Sequence, residues 1–235
     1  MSNTEMCIVS VFMDNIKSDV VEAQAAVVAK FNRNKYQHIQ LKTPASHGKT
    51  MDWFWQENKS LGFKNVMFLD IDAIPLTHHT LQDFHILAKS DRLVGNAQVS
   101  NHLPAYKDHV YVAPSAMALS EKTFWRMGQP SALPLIGDCA QSYTWAAEKV
   151  GIKVHHFMPT SFMSNPYVLL DPETIGTCEP WPLGKTPHWY GQGTIFGSNV
   201  VKKHTYHQFQ IRIPEAQDSF ILKCEEVLSA QDTAP

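Results

Sequence analysis

Cysteine is scarce and scattered. Cys7, Cys139, Cys178 and Cys224 form no CxxC pair, which argues against a four-cysteine zinc site or a disulfide framework and fits a reducing compartment. No apolar run approaches the roughly 18 residues needed to span a bilayer. The N-terminal MSNTEMCIVSVFMDN has neither the positive leader nor the long apolar stretch of a secretory signal. The expectation is a soluble, cytoplasmic chain with no stable membrane insertion. Charge of one sign is lacking as well: 20 Lys and Arg against 22 Asp and Glu leave a net charge of −2. That gives no bulk attraction to nucleic acid or anionic membrane. There is no internal repeat and no low-complexity tract.

Apolar material is plentiful, at 44% of 235 residues, enough for a sizeable core and too much for a disordered chain. One domain over 1–235 is expected, with halves at 6–100 and 101–212 and a C-terminal helix and tail at 213–235. Residues 6–13 read as a buried strand, and Ser18 or Asp19 opens a helical pattern ending near Asn32. YQHIQLK (36–42) alternates as a second strand. GKTMDWFWQENKSLGF carries Met51, Trp53, Phe54 and Leu61 at helical spacing, with Gly62 as its C-cap. NVMFLDI (65–71) is the third strand.

This alternation predicts an α/β fold, an open sheet with helices on both faces and a Rossmann-like N-terminal half. Further on, the pattern predicts helices over 79–90, 138–151 and 219–230. Strands are expected over 91–99, 111–120 and 152–158, with a strand or crossing segment at 201–212. The stretch 164–199, rich in Pro, Gly, Trp and Asn, reads as long loops.

Asp70 and Asp72 close the third strand in MFLDIDAIPL. Residues two apart on an extended segment face the same way, and ligands of open α/β sheets gather at the carboxyl ends of strands. Two carboxylates held together repel unless a cation or a shared proton relieves them. Oxygen donors favour Mg²⁺ or Mn²⁺, ions that keep open positions and so can also grip a diphosphate. The plainer alternative is a pair of turn residues, one capping and one solvated.

An apolar strand ending in D-x-D after two βα units resembles the nucleotide-sugar glycosyltransferases of the GT-A fold. The likeness in element order spans 6–212, with FLDIDAIPL as its one sharp motif. It implies that Asp70 and Asp72 hold a divalent metal and the donor's diphosphate, and that His207, or His204, adds a third ligand. It also implies an acceptor-side acid at Asp138 and a base-bordering Phe12. VYVAPSAMALSEKTFW (110–125) would line the donor sugar. On this resemblance 6–100 is the nucleotide-sugar half, 101–212 the acceptor half, and the reaction displacement at an anomeric carbon by a hydroxyl.

Other polar residues extend the picture. Lys203 and Arg212 beside the two histidines offer cations for phosphate. Lys49 near a helix start is a further diphosphate candidate, although GxxxxGK[ST] is absent because residue 43 is Thr. Ser115, Gln98, Asn101 and His102 are hydroxyl and amide candidates for sugar recognition. Asp138 also suits a plain N-cap. Trp181, Trp189 and Tyr190 offer stacking faces or loop anchors.

The candidate acceptors are a glycan, a protein side chain and a hydroxymethylated DNA base. Two other functions fit the acid pair: a haloacid-dehalogenase-type phosphohydrolase with Asp70 as nucleophile, and a non-catalytic sugar- or nucleotide-binding module.

Overall fold

The computed structural model describes residues 5–99, 109–135, 137–162, 193–209 and 211–230. Asn101, His102, Cys178, Trp181, Trp189 and Tyr190 lie outside the described residues. The expected α/β class holds. The element order is β1 Met6–Phe12, α1 Ser18–Phe31, β2 Gln37–Lys42, α2 His47–Leu61, β3 Asn65–Leu69, β4 Ala73–Pro75, α3 Thr80–Lys89 and β5 Leu93–Val99. It continues with β6 Val110–Ser120, α4 Glu121–Arg126, α5 Gln141–Lys149, β7 Val154–Phe162, β8 Thr194–Gly197, β9 Thr205–His207 and α6 Pro214–Ser229.

The strands form one mixed sheet in the order β2-β1-β3-β6-β5-β7-β8-β9-β4. β1 runs parallel to β2 and β3, the half that alternates strand and helix. β6 then joins β3 and β5 antiparallel. The first and last sheet neighbours of the acid pair, β3 and β4, are thus consecutive in the chain but far apart in the sheet order.

Apolar side chains pack on both faces. One cluster holds Trp55, Phe68, Phe124 and Tyr143; another holds Met67, Leu81, Phe84 and Phe157. Trp55 stacks on Phe124, with ring centres 4.2 Å apart and 8° between planes. A third cluster seats α6 against α1 through Val20, Val27, Phe220 and Cys224, which draws the chain's last helix next to its first.

Several sequence expectations need correction. β3 stops at Leu69, so Asp70 and Asp72 lie in a turn closed by the Ala73 N–H donating to Asp70 O (2.9 Å). They are not alternate residues of an extended strand. The three-residue β4 is not among the expected strands, and the four-residue β8 falls in the stretch expected as loops; such short pieces fall below any readable periodicity.

α1 begins at Ser18 without a side-chain cap, because its N-cap residue is Lys17, whose side chain cannot accept; the Lys17 N–H donates to Gln217 Oε1 from α6 (2.8 Å). Nor does Asp138 open α5. That helix starts at Gln141 after Ala140, whose φ is 59°.

Candidate metal centre

The β3–β4 turn projects Asp70 and Asp72, and β9 supplies His207, whose Cα pairs with that of Ala73. His207 Nε2 lies 3.4 Å from Asp72 Oδ1. Among the described residues, Asp70, Asp72 and His207 form the one group of three carboxylate, histidine or cysteine side chains whose ligand atoms all lie within 4.8 Å of each other.

Backbone hydrogen bonds hold the turn from two sides. The Asp70 N–H donates to Ser115 O (3.1 Å), and Asp72 O accepts from the Gln208 N–H (2.8 Å). The turn is therefore held from β6 on one side and from the end of β9 on the other.

Burial sets the electrostatics. Asp70 has its pKa raised, first by desolvation and further by the Asp72 carboxylate, against the opposing pull of His47 and His207. Burial pushes the His207 imidazole down, yet Asp72 and Asp70 outweigh it, and its pKa is raised. Both shifts describe carboxylate charge crowded into a desolvated space, the condition a bound cation relieves.

The donor set fits a divalent ion. Asp70 Oδ1 is buried and accepts no hydrogen bond, His47 Nε2 lying 3.1 Å away without hydrogen-bond alignment; His207 Nδ1 is buried without a partner too. Two carboxylates and an imidazole suit Mn²⁺ at least as well as the all-oxygen preference of Mg²⁺.

A cavity of about 430 Å³ opens beside the acids. Its wall combines the end of β1 (Val11, Phe12), the loop after it, His47 at the start of α2, the acid turn, and Ile211, Arg212 and Ile213 before α6. The exposed Arg212 reaches inward over Met13, Nη2 lying 3.9 Å from its Sδ.

The structure thus brings Phe12, Asp70, Asp72 and Arg212 to one cavity, with His207 behind the acids. Lys49 and Lys203 are exposed and do not line it. His204 is buried elsewhere, its Nε2 facing Asp83 Oδ2 at 3.8 Å.

Ser115 is sealed in the sheet. Its Oγ accepts from Asn96 Nδ2 (3.2 Å), while Thr205 Oγ1 donates to Asn96 Oδ1 (2.8 Å). Its hydroxyl therefore does not line the cavity, and its carbonyl is what serves the acid turn. Asp138 takes the Tyr111 hydroxyl on Oδ2 (2.8 Å) and the Cys139 N–H on Oδ1 (2.7 Å).

Sequence reasoning missed His47. Lys49 is the candidate that the sequence offers at this helix start, whereas the first residue of α2, not the third, faces the acids. The readable signal is a histidine at the start of the helix that follows the second strand.

No family model and no curated protein matches the chain. Solved structures do. The galactosyltransferase LgtC, in complex with donor and acceptor sugar analogues, is 12% identical over 98% of both chains, with a TM-score of 0.46. A putative nucleotide-diphospho-sugar transferase from Desulfovibrio desulfuricans G20 is 10% identical over 67% of this chain and 80% of its own, TM-score 0.46. The mannosyltransferase PcManGT from Pyrobaculum calidifontis, in complex with GDP-Man and Mn²⁺, is 13% identical over 65% of this chain and 54% of its own, TM-score 0.42. At such identities the chemistry has to be read from this chain's own side chains.

Proposed function

We propose that this chain is a metal-dependent glycosyltransferase that moves a sugar from a nucleoside-diphosphate donor to an acceptor hydroxyl. The observation that carries the reading is the convergence of Asp70, Asp72 and His207 within 4.8 Å, with both acids on the wall of the cavity and His207 behind them. A divalent ion bound there supplies positive charge for the diphosphate leaving group.

The rest is work for the chain's own residues. Arg212 offers a second, always charged partner for phosphate oxygens. Phe12, Val11 and Ile16 present apolar surface for a base or ribose, and Ile71, Ile211 and Ile213 limit water beside the phosphates. His47 places a donor nitrogen at the same opening. Asp138, held by Tyr111, is the proposed acceptor-side acid; bonds to both of its oxygens fix its orientation before any acceptor arrives.

The test is turnover of a panel of UDP- and GDP-sugars with and without Mn²⁺. Asp72→Asn and His207→Ala are expected to reduce it by more than the roughly 10- to 100-fold typical of outer-shell changes. Metal-independent turnover, or full activity in both variants, would overturn the proposal. Trapping of a phosphorylated Asp70 would instead establish the phosphohydrolase.

A further inference from the structure

The acid turn is clamped from behind by a side chain on a different element. Gln24, in the middle of α1, is fully buried. Its amide Nε2 donates to Asp70 O (2.8 Å), Ala73 O (3.2 Å) and Ser10 Oγ (2.9 Å). Asp70 and Ala73 are the first and last residues of the four-residue turn that presents both carboxylates, and Asp70 O also accepts the Ala73 N–H that closes it.

One amide group therefore ties both ends of the turn to β1. An amide nitrogen carries two protons, so one of them is shared between two of the three oxygens, and the turn has little room to slide. The orientation of the amide is set in its turn. Gln24 Oε1 accepts from Gln40 Nε2 (3.0 Å), and Gln40 also donates to Val21 O (2.8 Å).

A metal site depends on the spacing of its ligands, and partners behind the ligands hold that spacing. We infer that Gln24 is a positioning residue for the metal centre: it touches no substrate, and it fixes the separation of the Asp70 and Asp72 carboxylates by pinning the ends of their turn. This rests on the metal-site reading of the proposed function.

Gln24→Met keeps length and volume and removes the donors. The probe is Mn²⁺ alone, followed by electron paramagnetic resonance of the free ion and by the line shape of the bound ion. The comparison variant is Asn58→Ala, which removes a buried side chain bonded to both the N–H and the carbonyl of Phe63, on another helix and away from the acids. A merely structural role predicts that the two variants lose thermal stability and leave the Mn²⁺ constant alone.

Positioning predicts that Gln24→Met weakens Mn²⁺ binding about tenfold and broadens the bound-ion signal, while Asn58→Ala does neither. An unchanged constant and line shape in folded Gln24→Met overturn the inference. Should Gln24→Met fail to fold, Gln40→Met decides. It frees the amide from outside the turn and is expected to weaken binding about threefold, a part of the same loss; an unchanged constant there overturns the inference equally. Wild-type protein that binds no Mn²⁺, or binds it as well after Asp70→Asn, overturns the metal-site reading itself and this inference with it.

Discussion

At the residue scale the decisive feature is a charge imbalance inside a closed space. Asp70 and His207 both have their pKa values raised, so each holds a proton to higher pH than its ordinary value. A divalent ion needs both deprotonated. Binding must therefore displace protons, and Mn²⁺ affinity must fall as the pH is lowered through those raised values. Titration calorimetry in two buffers of different ionisation enthalpy should show net proton release growing as the pH is lowered toward the ordinary histidine value of 6.5. A buffer-independent heat would contradict the assignment. His47 belongs to the same scale: a motif search for phosphate loops draws attention to Lys49, while only the helix start reveals which neighbour reaches Asp70.

At the scale of elements, close packing overrides local propensity. Gly48 lies in the first turn of α2, next to His47, and a Cβ there would meet Ala132 O at 2.6 Å and Ala132 C at 2.9 Å. The loop carrying Ala132 is itself bonded to α2, because the Ala132 N–H donates to Asp52 Oδ1 (2.7 Å) and Ser131 Oγ donates to Asp52 Oδ2 (2.5 Å). Gly→Ala within a helix gains about 1 kcal/mol from propensity alone. Overpacking against fixed backbone costs roughly 1–3 kcal/mol, so the clash outweighs the gain. Gly48→Ala is expected to lower the Tm by a few degrees, at roughly 2–4 °C per kcal/mol for a chain of this size. A higher Tm would mean that the loop yields freely.

Elements also show where the sequence could be read. β1, α1, β2, α2 and α3 fall within a residue or two of their expected ends, because each carries a full apolar period. β4 and β8 were hidden because their ladders are held by β9 and β7, partners that no local pattern reveals. α5 begins later than its composition suggests, since Asp138 turns its carboxylate to Tyr111 instead of capping the helix.

For the molecule as a whole, burial of neutral imidazoles makes stability depend on acid. Burial pushes His38, His156 and His204 down to about 4 from an ordinary 6.5. A depressed histidine contributes stability above its unfolded value and loses it as the pH falls through the window from 6.5 to about 4, where the unfolded chain binds more protons. The raised values of Asp70, Asp83 and His207 act with the opposite sign, but burial also lowers His85 and His155, so five histidines stand against three groups. The Tm should therefore decline across that window, and His204→Gln should flatten part of the slope. A Tm constant from pH 6.5 to 4 would contradict the assignment.

The alternation of apolar strands with amphipathic helices, and an acid pair at the end of the most apolar strand, were settled by the order of residues. Those are local properties, written in periods of two and of 3.6 residues. Three other features depend on distant parts of the chain and arose only when the strands had closed into one sheet. β9 comes back beside β4 and sets His207 against Asp72. Gln24 reaches from α1 to the ends of the acid turn. Arg212, just before α6, meets Phe12 at the same cavity. Each joins residues more than forty positions apart in the chain, and contacts of that range leave no trace in local spacing.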